Sequence, residues 1–189
     1  MPNRDAFFGV LKEILHTALI SLGIFFFVYI LIVQPHRVKG ESMVPNFADG
    51  ELLLTEKVTY RFQEVRRGDV IVFEAPTARK VDFIKRIIGL PGDSVEIQNG
   101  QVLVNNQRFL EPYETQSTDG SIKITLSQNQ YFVLGDNRAA SSDSRSFGPI
   151  DKGAIKGRAW LVYWPIFGNN NFEGWRIISR VNYTVSNSL

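Results

Sequence analysis

A mainly β fold carried behind one N-terminal transmembrane helix is the architecture the sequence predicts, and three observations predict it. Residues 14–33 read ILHTALISLGIFFFVYILIV, without a charge; roughly 20 such residues at about 1.5 Å each span a hydrocarbon layer of about 30 Å. After Lys39 the apolar residues come in short runs separated by Gly, Pro, Asn and Asp, with no long amphipathic helical pattern. The 189 residues include no cysteine, so no disulfide framework holds a small irregular fold together. One globular domain with a short appendage suits this length.

The anchor comes first, over residues 14–35. Pro35 and then His36, Arg37 and Lys39 mark the return to water. A helix apolar on every face, as Phe25 to Val33 is, suits a membrane span, or the core of a large protein, better than the core of a chain of 189 residues. A cleavable leader would show a small-x-small site, and Val33-Gln34-Pro35-His36 offers none. Arg4 and Lys12 precede the segment and Arg37 and Lys39 follow it, so flanking charge gives no orientation. Strands are then expected at residues 51–55, 69–73 and 81–88. Residues 95–98 and 101–104 flank Asn99-Gly100, whose two residues supply the positive φ angles of a type I′ hairpin turn. Further strands are expected at 122–126, 131–134 and 159–164, which together suggest an all-β sandwich or partly open barrel. Gly168-Asn169-Asn170-Asn171 reads as a loop. Trp160, Trp164, Phe167 and Trp175 form either an interfacial aromatic surface or part of the core.

Composition narrows the chemistry. A formal net charge of +2 without a basic run argues against nucleic acid as a partner. The only histidines are His16, inside the apolar run, and His36, just after it. A histidine metal cluster is therefore not expected, and a Ser-His-Asp triad has no material. Hydrolysis would need a different base.

Three motifs offer one. Gly40-Glu41-Ser42-Met43-Val44-Pro45 sets a serine on a tight turn, with hydroxyl and backbone N–H free to face outward. In the strand expected at 81–88, alternation places Lys85 on one face with Val81, Phe83 and Ile87, and Asp82, Ile84, Arg86 and Ile88 on the other. A lysine on an apolar face is costly unless it is paired or loses its proton, and losing the proton is what a general base requires. Arg86 cannot serve, because a guanidinium does not deprotonate. The third motif, Gly135-Asp136-Asn137-Arg138-Ala139-Ala140-Ser141-Ser142-Asp143-Ser144-Arg145-Ser146-Phe147-Gly148, is a polar loop by composition and holds hydroxyl, carboxylate and guanidinium partners.

With residues 67–73 as a fourth box, these motifs, in this order behind an anchor, resemble type I signal peptidases, membrane Ser/Lys proteases that remove signal peptides from exported proteins. The resemblance implies Ser42 as nucleophile, Lys85 as general base, Ser141 as the hydroxyl that orients the amine, and Asp143 with Arg145 as a supporting ion pair. It implies that Val38 and Ile84 line shallow pockets for small residues at the first and third positions before the cut. The Ser42 N–H would be one oxyanion donor. The implied fold is a β-rich catalytic domain over residues 36–189, with a small β subdomain inserted at about 95–130. Residues 1–13 would be cytoplasmic, and the catalytic domain would lie on the extracytoplasmic side of the cell membrane. The expected partners are signal-peptide-bearing preproteins and the lipid bilayer, with no cofactor, metal or nucleic acid. Two positions depart from the pattern. Gly40 stands where some members carry a serine that helps bind the oxyanion, and Asn46 follows Pro45 where threonine is usual. Two other readings are a Ser/Lys peptidase that cleaves its own chain, and a tethered β domain that binds extended peptides without cutting them.

Overall fold

In the computed structural model, which describes residues 4–77, 80–113, 117–168, 172–181 and 183–186, the chain opens on a 28-residue helix, α1 (Arg4–Leu31). At 1.5 Å per residue it is about 42 Å long. Every side chain from Phe7 to Tyr29 is exposed, so this apolar stretch packs against no other part of the chain. It is the one helix among the described residues long and apolar enough to cross a membrane. The helix ends before Pro35, because proline disfavours helical backbone in the residue ahead of it. Residues 33–35, expected inside the anchor, instead begin strand β1 (Val33–Arg37). Proline is tolerated there because β1 is an edge strand.

Strands dominate the rest: 36% of the described residues are strand against 21% helix, most of it α1. After β1 come β2 (Leu52–Glu56), the single-turn α2 (Thr59–Phe62), β3 (Val70–Glu74), β4 (Asp82–Gly89), β5 (Ser94–Gln98) and β6 (Gln101–Val104). There follow β7 (Gln107–Leu110), β8 (Ile122–Thr125), β9 (Gln130–Leu134), the short α3 (Ser144–Phe147) and β10 (Ile150–Asp151). The chain continues with β11 (Ile155–Trp164), β12 (Arg176–Ile177) and β13 (Thr184–Ser186). Eight strands form one antiparallel sheet in the order β1-β2-β11-β3-β4-β9-β10, with β12 on β11. Five form a second sheet, β13-β7-β6-β5-β8. Asn99 and Gly100 both have positive φ, 51° and 76°, and close the β5–β6 hairpin as their types dictate.

The large sheet is covered on both faces, which is why β3 is buried through Val70, Ile71, Val72 and Phe73 and shows no alternation in sequence. Ile71, Phe73, Ile87, Val133 and Ile150 pack on one face, and Val70, Val72, Val38, Met43, Phe47 and Leu53 on the other. Ile88, Phe132 and Leu134 join Val95, Ile97, Val102 and Val104 of the second sheet in a third cluster that fastens the two sheets together. The sheet also curls: His36 on edge strand β1 comes within 3.4 Å of Asp82 on β4, four places along the strand order.

Residues 135–148 form the expected polar loop around the short α3, and it is packed against the sheet: Asp136, Arg138, Asp143 and Ser144 are buried, and Asp143 caps α3 by accepting from Arg145 N–H. The strand expected from 159 begins at Ile155. Trp160, Trp164, Phe167 and Trp175 are exposed, up to 84% for Phe167, and form a surface rather than core. Of the loop expected at 168–171, residues 169–171 lie outside the described residues.

Candidate active site

Lys85 sits midway along β4, where that strand changes neighbours. Residues 82–86 pair with β3 on one side. On the other side β9 begins its pairing only at Arg86. Among the described residues no strand covers the free edge of residues 82–85. Alternation sends Phe83, Lys85 and Ile87 the same way, and the Phe83 ring lies 5.3 Å from Lys85 Nζ. Val81, expected to share that face, precedes the strand and is 40% exposed, so it does not shield the amine. Lys85 itself is 4% exposed. Its amine donates to Ser42 Oγ at 2.6 Å and to the Ile84 carbonyl at 2.9 Å. Burial lowers its pKa from 10.5 to about 8, against the upward pull of the Asp143 and Asp136 carboxylates. The same 2.6 Å serves a neutral amine that accepts the hydroxyl proton instead.

Ser42 rides on a loop pinned at its base and along its length. Val38 N–H donates to Glu51 O at 2.8 Å and Gly50 N–H to Val38 O at 3.0 Å, closing the loop. Met43 and Phe47 plug it into the core beneath. Gly40 takes φ +83°, a left-handed conformation suited to glycine, and its N–H donates to Asp49 Oδ1 at 2.7 Å. That N–H is already engaged, whereas Ser42 N–H makes no hydrogen bond among the described residues.

The third motif grips this loop from the side. Asn137 N–H donates to the Ser42 carbonyl at 3.1 Å, and Asn46 Nδ2 donates to Asp136 Oδ2 at 2.8 Å. Asp136 in turn receives Arg86 Nε and Nη2 at 2.8 and 2.6 Å in a fully buried bidentate pair. A Cβ on Gly135 would stand 2.4 Å from the Ser42 carbonyl oxygen and 2.2 Å from Ser141 Oγ, so only glycine lets the two backbones meet. Arg145 donates twice to Asp143, at 2.8 and 2.9 Å, and Gly135 N–H donates to Asp143 Oδ2 at 3.1 Å. Burial works to raise the Asp143 pKa, but the Arg145 guanidinium and the Gly135 N–H outweigh it and hold the carboxyl below its usual range. Ser141 Oγ, expected to orient the amine, is buried beside Gly135 and makes no hydrogen bond to Lys85, and it lies close enough to Asp143 to help lower that carboxyl's pKa.

A cleft of about 290 Å³ runs from Ser42 and Lys85 past Val38, Ile84 and Leu53 to His36 and Asp82. Val38 and Ile84 share one apolar cluster, so both supply its greasy wall. Among the described residues no group of three or more His, Asp or Glu side chains could hold a metal ion.

Sequence reasoning did not foresee the contacts of three groups that shape the site. Asn46 and the Arg86–Asp136 pair are two. The third is Arg176 on β12, which donates to both oxygens of buried Glu51 at 2.7 and 2.8 Å, and also to the Asn46 carbonyl. Its guanidinium lies 5.5 Å from the Phe47 ring. No local pattern reveals these pairs, whose partners are 50 to 130 residues apart.

The family described as "Signal peptidase, peptidase S26" matches over residues 11–164. Signal peptidase IB of Staphylococcus aureus (strain COL) is 35% identical over 176 residues, covering 82% of this chain and 91% of its own. Signal peptidase I of Leptolyngbya laminosa is 37% identical over 166 residues, with 82% and 79% covered. A solved signal peptidase I from Enterococcus faecalis V583 aligns with 51% of this chain and 97% of its own, at 29% identity and a TM-score of 0.46.

Proposed function

This chain belongs to the signal peptidase family, peptidase S26, and from that premise we propose a membrane-anchored serine endopeptidase with Ser42 as nucleophile and Lys85 as general base, which removes signal peptides after small residues. The observation that carries this reading is the 2.6 Å approach of a buried lysine amine to a loop serine at the head of an open cleft. Neutral Lys85 takes the Ser42 proton as Oγ attacks the scissile carbonyl. Ser42 N–H, which has no other partner, donates to the developing oxyanion, an interaction worth about 3–4 kcal/mol. The lysinium gives the Ser42 proton to the leaving amine as the acyl-enzyme forms, and the lysine, neutral again, activates the water that releases the signal peptide.

Proton counting gives Ser141 and the ion pair their places. A neutral amine that accepts from Ser42 has two N–H groups, and the Ile84 carbonyl takes only one of them. The Ser141 hydroxyl accepts the other and so orients the amine, held in position because Asp143 and Arg145 fix the turn around it. Val38 and Ile84 limit the first and third residues before the cut to small side chains. The free edge of β4 receives the substrate as an added strand.

Helix α1 supplies the anchor, with residues 1–13 cytoplasmic and the domain from about residue 36, including the second-sheet insertion near 95–130, on the outer side of the membrane. The exposed Trp164, Phe167 and Trp175 support a domain that rests on the bilayer surface. The test is cleavage of a preprotein by purified protein in detergent. Ser42→Ala, Lys85→Ala and the double variant should each lose several orders of magnitude in kcat/KM, by similar amounts, because nucleophile and base act as one unit. Losses that multiply in the double variant, or full activity in all three, would refute the dyad, and no cleavage by the wild type would leave only a binding domain.

A further inference from the structure

The cleft has a second end, and its chemistry differs from the first. On β1 and its continuation, His36 and Val38 are two residues apart and face inward, while Arg37 and Lys39 are exposed. On β4, Asp82 and Ile84 are likewise two residues apart and share a face. The apolar pair Val38 and Ile84 is therefore followed, one pleat or about 6.6 Å farther from Ser42, by the polar pair His36 and Asp82. All four line the one cleft.

The polar end is incompletely satisfied. His36 Nδ1 lies 3.1 Å from Thr55 Oγ1. Its Nε2 is buried with no hydrogen bond, 3.4 Å from Asp82 Oδ2. Lys156 approaches Asp82 Oδ1 at 2.6 Å and Glu74 at 4.0 Å, which sets two carboxylates against one ammonium beside the histidine. A buried ring nitrogen and a half-exposed carboxylate oxygen thus face a space that an extended peptide would enter.

We infer that His36 and Asp82 form a polar specificity subsite for the fifth residue before the scissile bond, selecting hydrogen-bonding and preferably basic side chains over aliphatic ones. This rests on the cleft being the signal-peptide site. Substrate side chains alternate with the same period of two as the strands beside them. If the first and third residues face the Val38–Ile84 wall, the fifth faces His36 and Asp82, and the second and fourth face away. A leucine there would bury the imidazole nitrogen and the carboxylate oxygen without a partner, which is unfavourable. A lysine or glutamine would donate to Asp82.

Competition cleavage by the purified full chain in detergent tests this. Two peptides with alanine at the first and third positions, differing only in Lys or Leu at the fifth, are mixed and their products quantified together. The ratio of kcat/KM values is then independent of how much enzyme is folded. Wild type should favour Lys by about three- to fivefold, the range expected of a partly exposed charge contact. Asp82→Leu should bring the ratio to about one or invert it, and His36→Leu, from the opposite wall, should move it the same way. An unchanged ratio in both variants overturns the subsite. So does an equal preference when the Lys/Leu pair is moved to the fourth position. Cleavage that persists in Ser42→Ala, or that ignores the size of the first and third residues, would instead defeat the reading of the cleft itself, and the subsite with it.

Discussion

A single lysine carries most of the chemistry proposed here, and its environment is open to test. The Phe83 ring influences the Lys85 amine in two opposing ways. It excludes water, which lowers the pKa, and its π face favours the ammonium by about 0.5–2 kcal/mol. Burial has won, since the pKa stands at about 8, and dehydration of an ammonium costs more than a ring face returns. Phe83→Asn should therefore raise the pKa, and the acidic limb of kcat/KM should move to higher pH by about half to one unit. A pH–rate profile of the folded variant checks this, and an unmoved limb would show that the ring does not keep the amine dry. The same shift bears on stability. The unfolded lysine holds its proton up to about pH 10.5 and the folded one only to about 8. The unfolded state thus binds more protons between these values, and stability rises with pH across that window. Below it, burial of the charge costs about 3 kcal/mol. Lys85→Met should abolish cleavage yet raise the thermal midpoint at pH 7 by about 2–4 °C, after the lost hydrogen bonds are counted; differential scanning fluorimetry reads it directly. Much of this was legible in sequence, because a period of two fixes which side of a strand Lys85 occupies. Its second hydrogen-bond partner, Ile84 O, was not, because whether Ser141 reaches the amine depends on where a turn 56 residues away comes to rest.

At the level of elements, the site is a junction of two loops held together by backbone contact. Gly135 is the point of closest approach, and a methyl group there meets the Ser42 carbonyl oxygen, which cannot swing aside, as well as the Ser141 side chain. Gly135→Ala should push the Ser42 carbonyl away from Asn137 and displace the nucleophile. We expect kcat/KM to fall by about two orders of magnitude, with a smaller effect on KM, since misplacement of about 1 Å costs that much; steady-state kinetics separate the two. Elements with strong local signals were readable in advance: the Asn99-Gly100 hairpin, β3 and the apolar α1. The early end of α1 was not, because the hydropathy of Ile32 and Val33 suits a helix and an edge strand equally. Strands β7, β10, β12 and β13 were also missed. They are short, and each forms only because a neighbouring strand offers it an edge.

For the whole molecule, the unresolved question from sequence was direction, because the charges flanking α1 balance. Protease added to intact spheroplasts should degrade the catalytic domain. Degradation confined to inverted vesicles would reverse the proposed orientation and remove the signal-peptidase role with it. The exposed aromatic surface at Trp164, Phe167 and Trp175 would then face the wrong leaflet. One further consequence follows from the Arg176 clamp on Glu51 and Asn46. Ribosomes deliver this chain from its N-terminus, so α1 is made first, Ser42 soon afterwards and Lys85 later. Arg176 emerges only after all the motifs of the site. Until it arrives, the loop bearing Ser42 lacks the guanidinium that ties its two flanks together. Synthesis order thus leaves the nucleophile loop without its last cross-tie until every motif of the site has been made.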